Sequence, residues 1–150
     1  MEELIQRLNQ GAVRYLVIGG HALRLLGAAR ATMDWDLFIP PRDAANLNRL
    51  NLILEDVLDM PIEPLGPQGQ NFLQTYQTQF GIIQFHLGVP GLPSFDAAEA
   101  NQIVRQTESG TPIKCVSGRD LIKSKEAAGR PQDLLDLVYL RELDRLGKLR

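Results

Sequence analysis

A chain of 150 residues with 44% hydrophobic and 23% charged residues has the composition of one globular domain, taken here as 1–150, and not of a disordered segment. Its formal net charge of −2 gives no bulk attraction to nucleic acid or acidic lipid. The single cysteine, Cys115, excludes an internal disulfide framework and suits a reducing cytoplasm. No signal peptide opens the chain, and no apolar run approaches the ~20 residues of a membrane span, so a cytoplasmic protein is expected.

In chain order, residues 3–10 predict a short amphipathic helix with Leu4, Ile5 and Leu8 inward, stopped by Gly11. Arg14 to Ile18 predicts a short central strand, Gly19-Gly20 a tight turn, and His21 to Leu26 a helix of one to two turns. Arg30 to Ile39 alternates as a strand, with Arg30, Thr32, Asp34 and Asp36 on one face and Met33, Trp35, Leu37 and Ile39 on a core face. A helix over 42–58 follows, carrying Leu47, Leu50, Ile53, Leu54 and Val57 at helical spacing, and then an irregular stretch from Met60 to Gln70. Phe72 to Gln79 and Gly81 to Leu87 predict a hairpin turning near Phe80-Gly81. Ser94 caps a short helix through Ala100, and Ile103 to Thr107 and Ile113 to Val116 predict strands around Gly110. Ser117 caps a helix to about Ala128, and Pro131 opens a last helix to about Leu146. Strands and helices interleave without strict βαβ regularity, which predicts an α+β fold: a mixed sheet flanked by helices.

The chemistry concentrates between Tyr15 and Ile39. Two carboxylates spaced i, i+2 on a strand share a face, and like charges held side by side call for a neutralising cation. Asp34 and Asp36 therefore read as metal ligands or as the solvent face of an edge strand. Their neighbours favour the former. A Gly-Gly strand-to-helix turn exposes backbone N–H groups to phosphate, while Arg30 and Thr32 add a cation and a hydroxyl on the same face. Glycines, carboxylates and a cation at this spacing point to a nucleoside triphosphate with Mg²⁺.

Gly19-Gly20, a short helix and Arg30-x-Thr32-x-Asp34-x-Asp36 resemble the nucleotidyltransferase superfamily typified by DNA polymerase β, and within it the small bacterial minimal and abortive-infection (AbiEii-type) proteins. The run Ser117 to Leu137, with Lys125, Arg130, Asp133 and Asp136, is similar to a second motif of those proteins. The resemblance covers about residues 13–140. It implies a mixed sheet with flanking helices, two Mg²⁺ ions, and transfer of a nucleoside monophosphate from a triphosphate to an acceptor hydroxyl on RNA, protein or a small molecule. It also implies a protein partner of toxin–antitoxin type. Asp34 and Asp36 would be catalytic and hold metal, and Gly19, Gly20, Arg30, Thr32 and Lys125 would bind the nucleotide.

The departure from the family is at the third carboxylate, where Gln84 stands in Gly81-Ile-Ile-Gln84-Phe-His86-Leu. Glutamine offers a metal a neutral oxygen but cannot act as a base, so the chain reads either as an enzyme or as a nucleotide-binding module of weak or no turnover. His86 shares the face of Gln84, as a ligand or as a hydrogen-bonded structural residue, and Glu63 is a candidate carboxylate from elsewhere. Lys125 falls in the apolar stripe of its helix, either snorkelling to water or aimed at a phosphate. Asp133 and Asp136 read as structural, with Arg130 and Asp133 as a local ion pair. Trp35 and Cys115 read as core, and His21 as an edge of the phosphate site or as exposed. The last helix, apolar around much of its circumference, is either deeply packed or a contact between subunits.

Overall fold

Residues 1–150 are described by a computed structural model. The N-terminal amphipathic run forms α1 (Glu2–Gln10), burying Leu4, Ile5 and Leu8. The strands are β1 (Leu16–Ile18), β2 (Trp35–Phe38), β3 (Leu73–Thr78), β4 (Gly81–His86), β5 (Ile103–Gln106) and β6 (Pro112–Cys115). They make one mixed sheet in the order β3-β4-β2-β1-β6-β5. The hairpins β3–β4 and β5–β6 and the pair β1–β2 are antiparallel, whereas β2–β4 and β1–β6 are parallel. The fold is α+β, as the interleaved pattern predicts.

Five further helices are α2 (Gly19–Leu25), α3 (Ala44–Ile53), α4 (Phe95–Ala100), α5 (Gly118–Ala128) and α6 (Pro131–Arg145). Their starts follow from capping chemistry. Asp43, Ser94 and Ser117 accept hydrogen bonds from the backbone N–H groups of Asn46, Ala97 and Asp120 at 3.0, 3.0 and 3.1 Å. Pro131 sits at the first turn of α6, where its missing N–H costs nothing, and Asp133 returns a bond to the Arg130 N–H at 3.1 Å.

Three expectations are corrected. The strand expected over Arg30–Ile39 is only Trp35–Phe38: β1 ends at Ile18 opposite Asp36, so residues ahead of Trp35 have no β1 left to pair with. Met33, expected on the core face, is consequently 87% exposed, while Leu37 and Ile39 are buried. Arg14 lies outside β1 because the buried Asn46 amide takes both its N–H (2.7 Å) and its carbonyl (3.1 Å). The helix expected over 42–58 ends at Ile53 and finishes in turns, yet Leu50, Leu54 and Val57 are all buried. No helix is long and apolar enough to cross a membrane.

Candidate functional site

Alternation along β2 and β4 decides what faces the cleft. Leu37 and Phe85 point into the core, so Asp36, Gln84 and His86 face the other way. The two strands are parallel and in register, with Asp36 opposite Gln84. At the end of β1 the chain turns at Gly19, whose φ of +70° is strained for any side chain. A Cβ there would also lie 2.6 Å from Asp36 Oδ2, and one at Gly20 would lie 2.8 Å from Thr32 Cβ. The two glycines thus let the β1–α2 turn press against the segment that carries the aspartates. The N-terminus of α2 has no side-chain cap.

A single cleft of about 430 Å³ is lined by Gly19, Gly20, Arg30, Thr32, Asp34, Asp36, Gln84 and Lys125, together with His86, Ser124, Arg130 and Asp133. Every residue singled out as catalytic, nucleotide-binding or metal-holding lies in this wall, drawn from the β1–α2 turn, the loop before β2, β2, β4 and α5. Glu63 does not: it lines a separate cleft beside α3.

Within the cleft, His86 Nε2 lies 2.7 Å from Asp36 Oδ1; an ionised carboxylate only accepts, so the imidazole donates. On the opposite wall α5 and α6 are joined by a buried ion network. Lys125 Nζ lies 3.1 Å from Asp133 Oδ1 and 3.0 Å from Asp136 Oδ2. Arg130 Nε holds Asp133 at 2.8 Å, and Arg30 Nε reaches across from the loop before β2 to Asp136 at 3.0 Å. Burial works against ionisation of Asp133, but hydrogen bonds from Arg130 and Lys125 outweigh it and hold the carboxyl at about 2. The same competition, with Arg30, Lys125 and Gln132 as donors, keeps Asp136 below its ordinary value. Three cations face two carboxylates, so this wall keeps a net positive charge, shared across the network and not carried by a free ammonium. Lys125, only 6% exposed, is neither snorkelling nor a bare phosphate cation. Asp133 and Asp136 are structural, as the sequence suggests.

One other side chain sits elsewhere than expected. His21 turns away from the cleft and is buried, flat against Trp35 with ring centroids 3.7 Å apart and planes 8° from parallel. Trp35, half-buried, packs against the core on the same face as Leu37, as expected. Cys115 is buried as expected, and burial pushes its thiol up to about 12, which makes it inert.

The donors available to a divalent ion are two carboxylates and the Gln84 amide oxygen, since His86 Nε2 is committed to Asp36, and no three His, Cys, Asp or Glu side chains cluster to hold one. That set fits one Mg²⁺ arriving with phosphates and keeping part of its water shell, which asks for only one or two carboxylates. It does not fit a pair of ions caged by three carboxylates.

No protein-family model matches this chain, and no curated protein matches it significantly. Solved structures do. An antigenic nucleotidyltransferase-like protein from Paracoccidioides brasiliensis superposes with a TM-score of 0.59 at 19% identity, over 95% of this chain and 73% of that one. The antibiotic-resistance factor ANT(2″)-Ia superposes with a TM-score of 0.51 at 16% identity, over 96% of this chain and 90% of that one. The chain has the nucleotidyltransferase fold.

Proposed function

We propose that the cleft binds a nucleoside triphosphate with one Mg²⁺ and that its reaction class is transfer of the nucleoside monophosphate to an acceptor hydroxyl. The observation that carries this reading is the convergence of the Gly19-Gly20 turn, Asp34, Asp36, Arg30 and Thr32 on one cleft. Asp34 and Asp36 would hold the ion, with Gln84 as a neutral oxygen donor. Bound there, Mg²⁺ would neutralise phosphate charge and polarise the phosphoryl group. The backbone N–H groups at Gly19 and Gly20 would take phosphate oxygens, which a helix N-terminus favours. The Arg30–Asp136–Lys125–Asp133–Arg130 network would hold its net positive charge at a fixed distance, orienting the triphosphate without collapsing onto it.

One observation favours a second reading, in which nucleotide binds and turnover is slow or absent. The residue in register beside Asp36 is Gln84, which cannot take a proton from the attacking hydroxyl, and the neighbouring His86 is spent on Asp36.

Thermal denaturation with each NTP, with and without Mg²⁺, tests the site. The melting temperature is expected to rise only when both are present, and the rise to vanish in Asp36→Asn; no shift with any NTP at millimolar concentration would sink both readings. Incubation of α-labelled NTPs with RNA, protein and small-molecule acceptors tests the chemistry. Label transfer by the wild type supports the enzyme, whereas transfer appearing only in Gln84→Asp supports the binding module.

A further inference from the structure

The stretch 64–95 contains no Asp, Glu, Lys or Arg, in a chain where those residues make up 23%. It holds β3, β4 and their flanks, and β3 is an edge of the sheet. Edge strands are ordinarily shielded from other strands by charges, proline, a bulge or short length. The opposite edge, β5, follows that rule with only four residues, Arg105 among them. β3 does not. Its six residues, Leu-Gln-Thr-Tyr-Gln-Thr, are uncharged and free of proline, and they pair with β4 in unbroken register from Leu73 opposite His86 to Thr78 opposite Gly81.

The Leu87 N–H donates to the Phe72 carbonyl at 2.7 Å, which fixes the phase of this ladder. Bonded and unbonded positions alternate in an antiparallel pair, so Gln74, Tyr76 and Thr78 bond to β4. Leu73, Thr75 and Gln77 turn their N–H and C=O groups outward. None of those three bonds to a turn or loop. Their side chains are exposed, and so is Phe72 at the start of the strand.

A row of free backbone groups takes another strand, and the absence of charge decides which one. No lysine or carboxylate along this edge selects a foreign sequence or repels an identical one. The run is also complementary to itself. Antiparallel pairing centred on Thr75 sets Thr75 against Thr75, Leu73 against Gln77 and Phe72 against Thr78, with no like charges opposed. We propose that β3 pairs with β3 of a second copy of this chain, about a two-fold axis at Thr75, to make one continuous sheet. That axis stands perpendicular to the sheet, so the two clefts open on the same face. Leu73 lines the cleft, and Gln77 of the second copy comes to stand at its rim. Thr75 lies outside the cleft, so the pairing does not rest on the nucleotide reading.

Sedimentation velocity over about 1–500 μM is expected to show monomer giving way to dimer, as suits a contact built on one strand. Amide hydrogen exchange at Leu73, Thr75 and Gln77 should slow by about tenfold or more in the concentrated protein, while Gln74 and Tyr76 stay as they are. Thr75→Pro removes an N–H that β4 does not use, and Thr75→Lys sets two ammonium groups face to face. Both should remain monomeric at every concentration, whereas Thr75→Val should still dimerise. If Thr75→Pro does not fold, Thr75→Lys, a change to an exposed side chain, decides the matter. Asp36→Asn should dimerise like the wild type, and so should Leu135→Lys, which alters the exposed apolar face of α6. The proposal is overturned by a monomer at every concentration, by a dimer that survives Thr75→Lys, by a dimer lost in Leu135→Lys, or by exchange at Leu73, Thr75 and Gln77 that ignores concentration.

Discussion

Lys125 shows how a cation lining the cleft is held by carboxylates of its own wall. Its ammonium has two aspartates within 3.1 Å and is almost fully buried, so its charge is balanced before any ligand arrives. Breaking a buried pair by removing one partner is costly because it strands the other charge. Lys125→Met should therefore destabilise the protein by about 3 kcal/mol, the low end for a buried pair, since Arg130 and Arg30 still reach Asp133 and Asp136. Urea denaturation measures this. Adding Asp133→Asn and Asp136→Asn should restore most of the loss, and a Lys125→Met protein as stable as the wild type would show that the network contributes nothing.

At the scale of elements, the β1–α2 turn and the strand carrying Asp36 are fitted to one another through Gly19. Alanine there would meet two separate obstacles: a left-handed backbone, which costs about 1–2 kcal/mol for an L-residue, and a Cβ 2.6 Å from Asp36 Oδ2. Gly110 has a similar φ of +86° but open space around its missing Cβ. Gly19→Ala and Gly110→Ala should thus share the backbone cost, while only Gly19→Ala displaces the Asp36 carboxylate. Melting temperatures and Mg–NTP titrations of the two variants separate the effects; equal loss of nucleotide affinity in both would remove Gly19 from the site. The Gly-Gly turn and the aspartate pair are legible in the sequence because they lie close together, although only Asp36 lies within the strand and obeys its alternation. The helix starts marked by Ser94, Ser117 and Pro131 are legible for the same reason, being local. What is not legible depends on distant partners. The Arg30–Asp136 bond joins residues 106 positions apart, and nothing in either neighbourhood announces it. The length of β2 depends on where β1 stops, and the fate of α6 on what covers it: Leu137 and Leu140 are buried, whereas Leu134, Leu135 and Val138 are exposed. His21 was out of reach because its partner, Trp35, sits on a strand whose own limits depend on β1.

For the whole molecule, two buried groups on different sides of β2 set the response to acid. His21 has its folded value depressed to about 4 by burial and by Arg24, against a weaker opposing pull from Asp36. A depressed folded value means that the unfolded chain binds the proton more readily, so the stabilisation is complete above the unfolded value near 6.5 and is lost as pH falls through about 4. Fully expressed, it amounts to about 3 kcal/mol. Asp133, opposed by its own burial but held at about 2 by Arg130 and Lys125, obeys the same sign over a lower window. Its contribution, on the order of 2 kcal/mol, is complete above the unfolded value near 3.9 and disappears as pH falls toward 2. Stability should therefore be level above about pH 6.5 and decline in two stages, the first belonging to His21 and the second to Asp133 together with Asp136, whose carboxyl is also held below its ordinary value. Urea midpoints taken from pH 8 to pH 2 should show His21→Phe flattening the upper stage while leaving the lower one. Asp133→Asn should lower stability at neutral pH and shrink the lower stage only. If His21→Phe leaves the slope between pH 6.5 and pH 4 unchanged, the imidazole is not the group that senses acid, and the buried stack with Trp35 opens before it titrates.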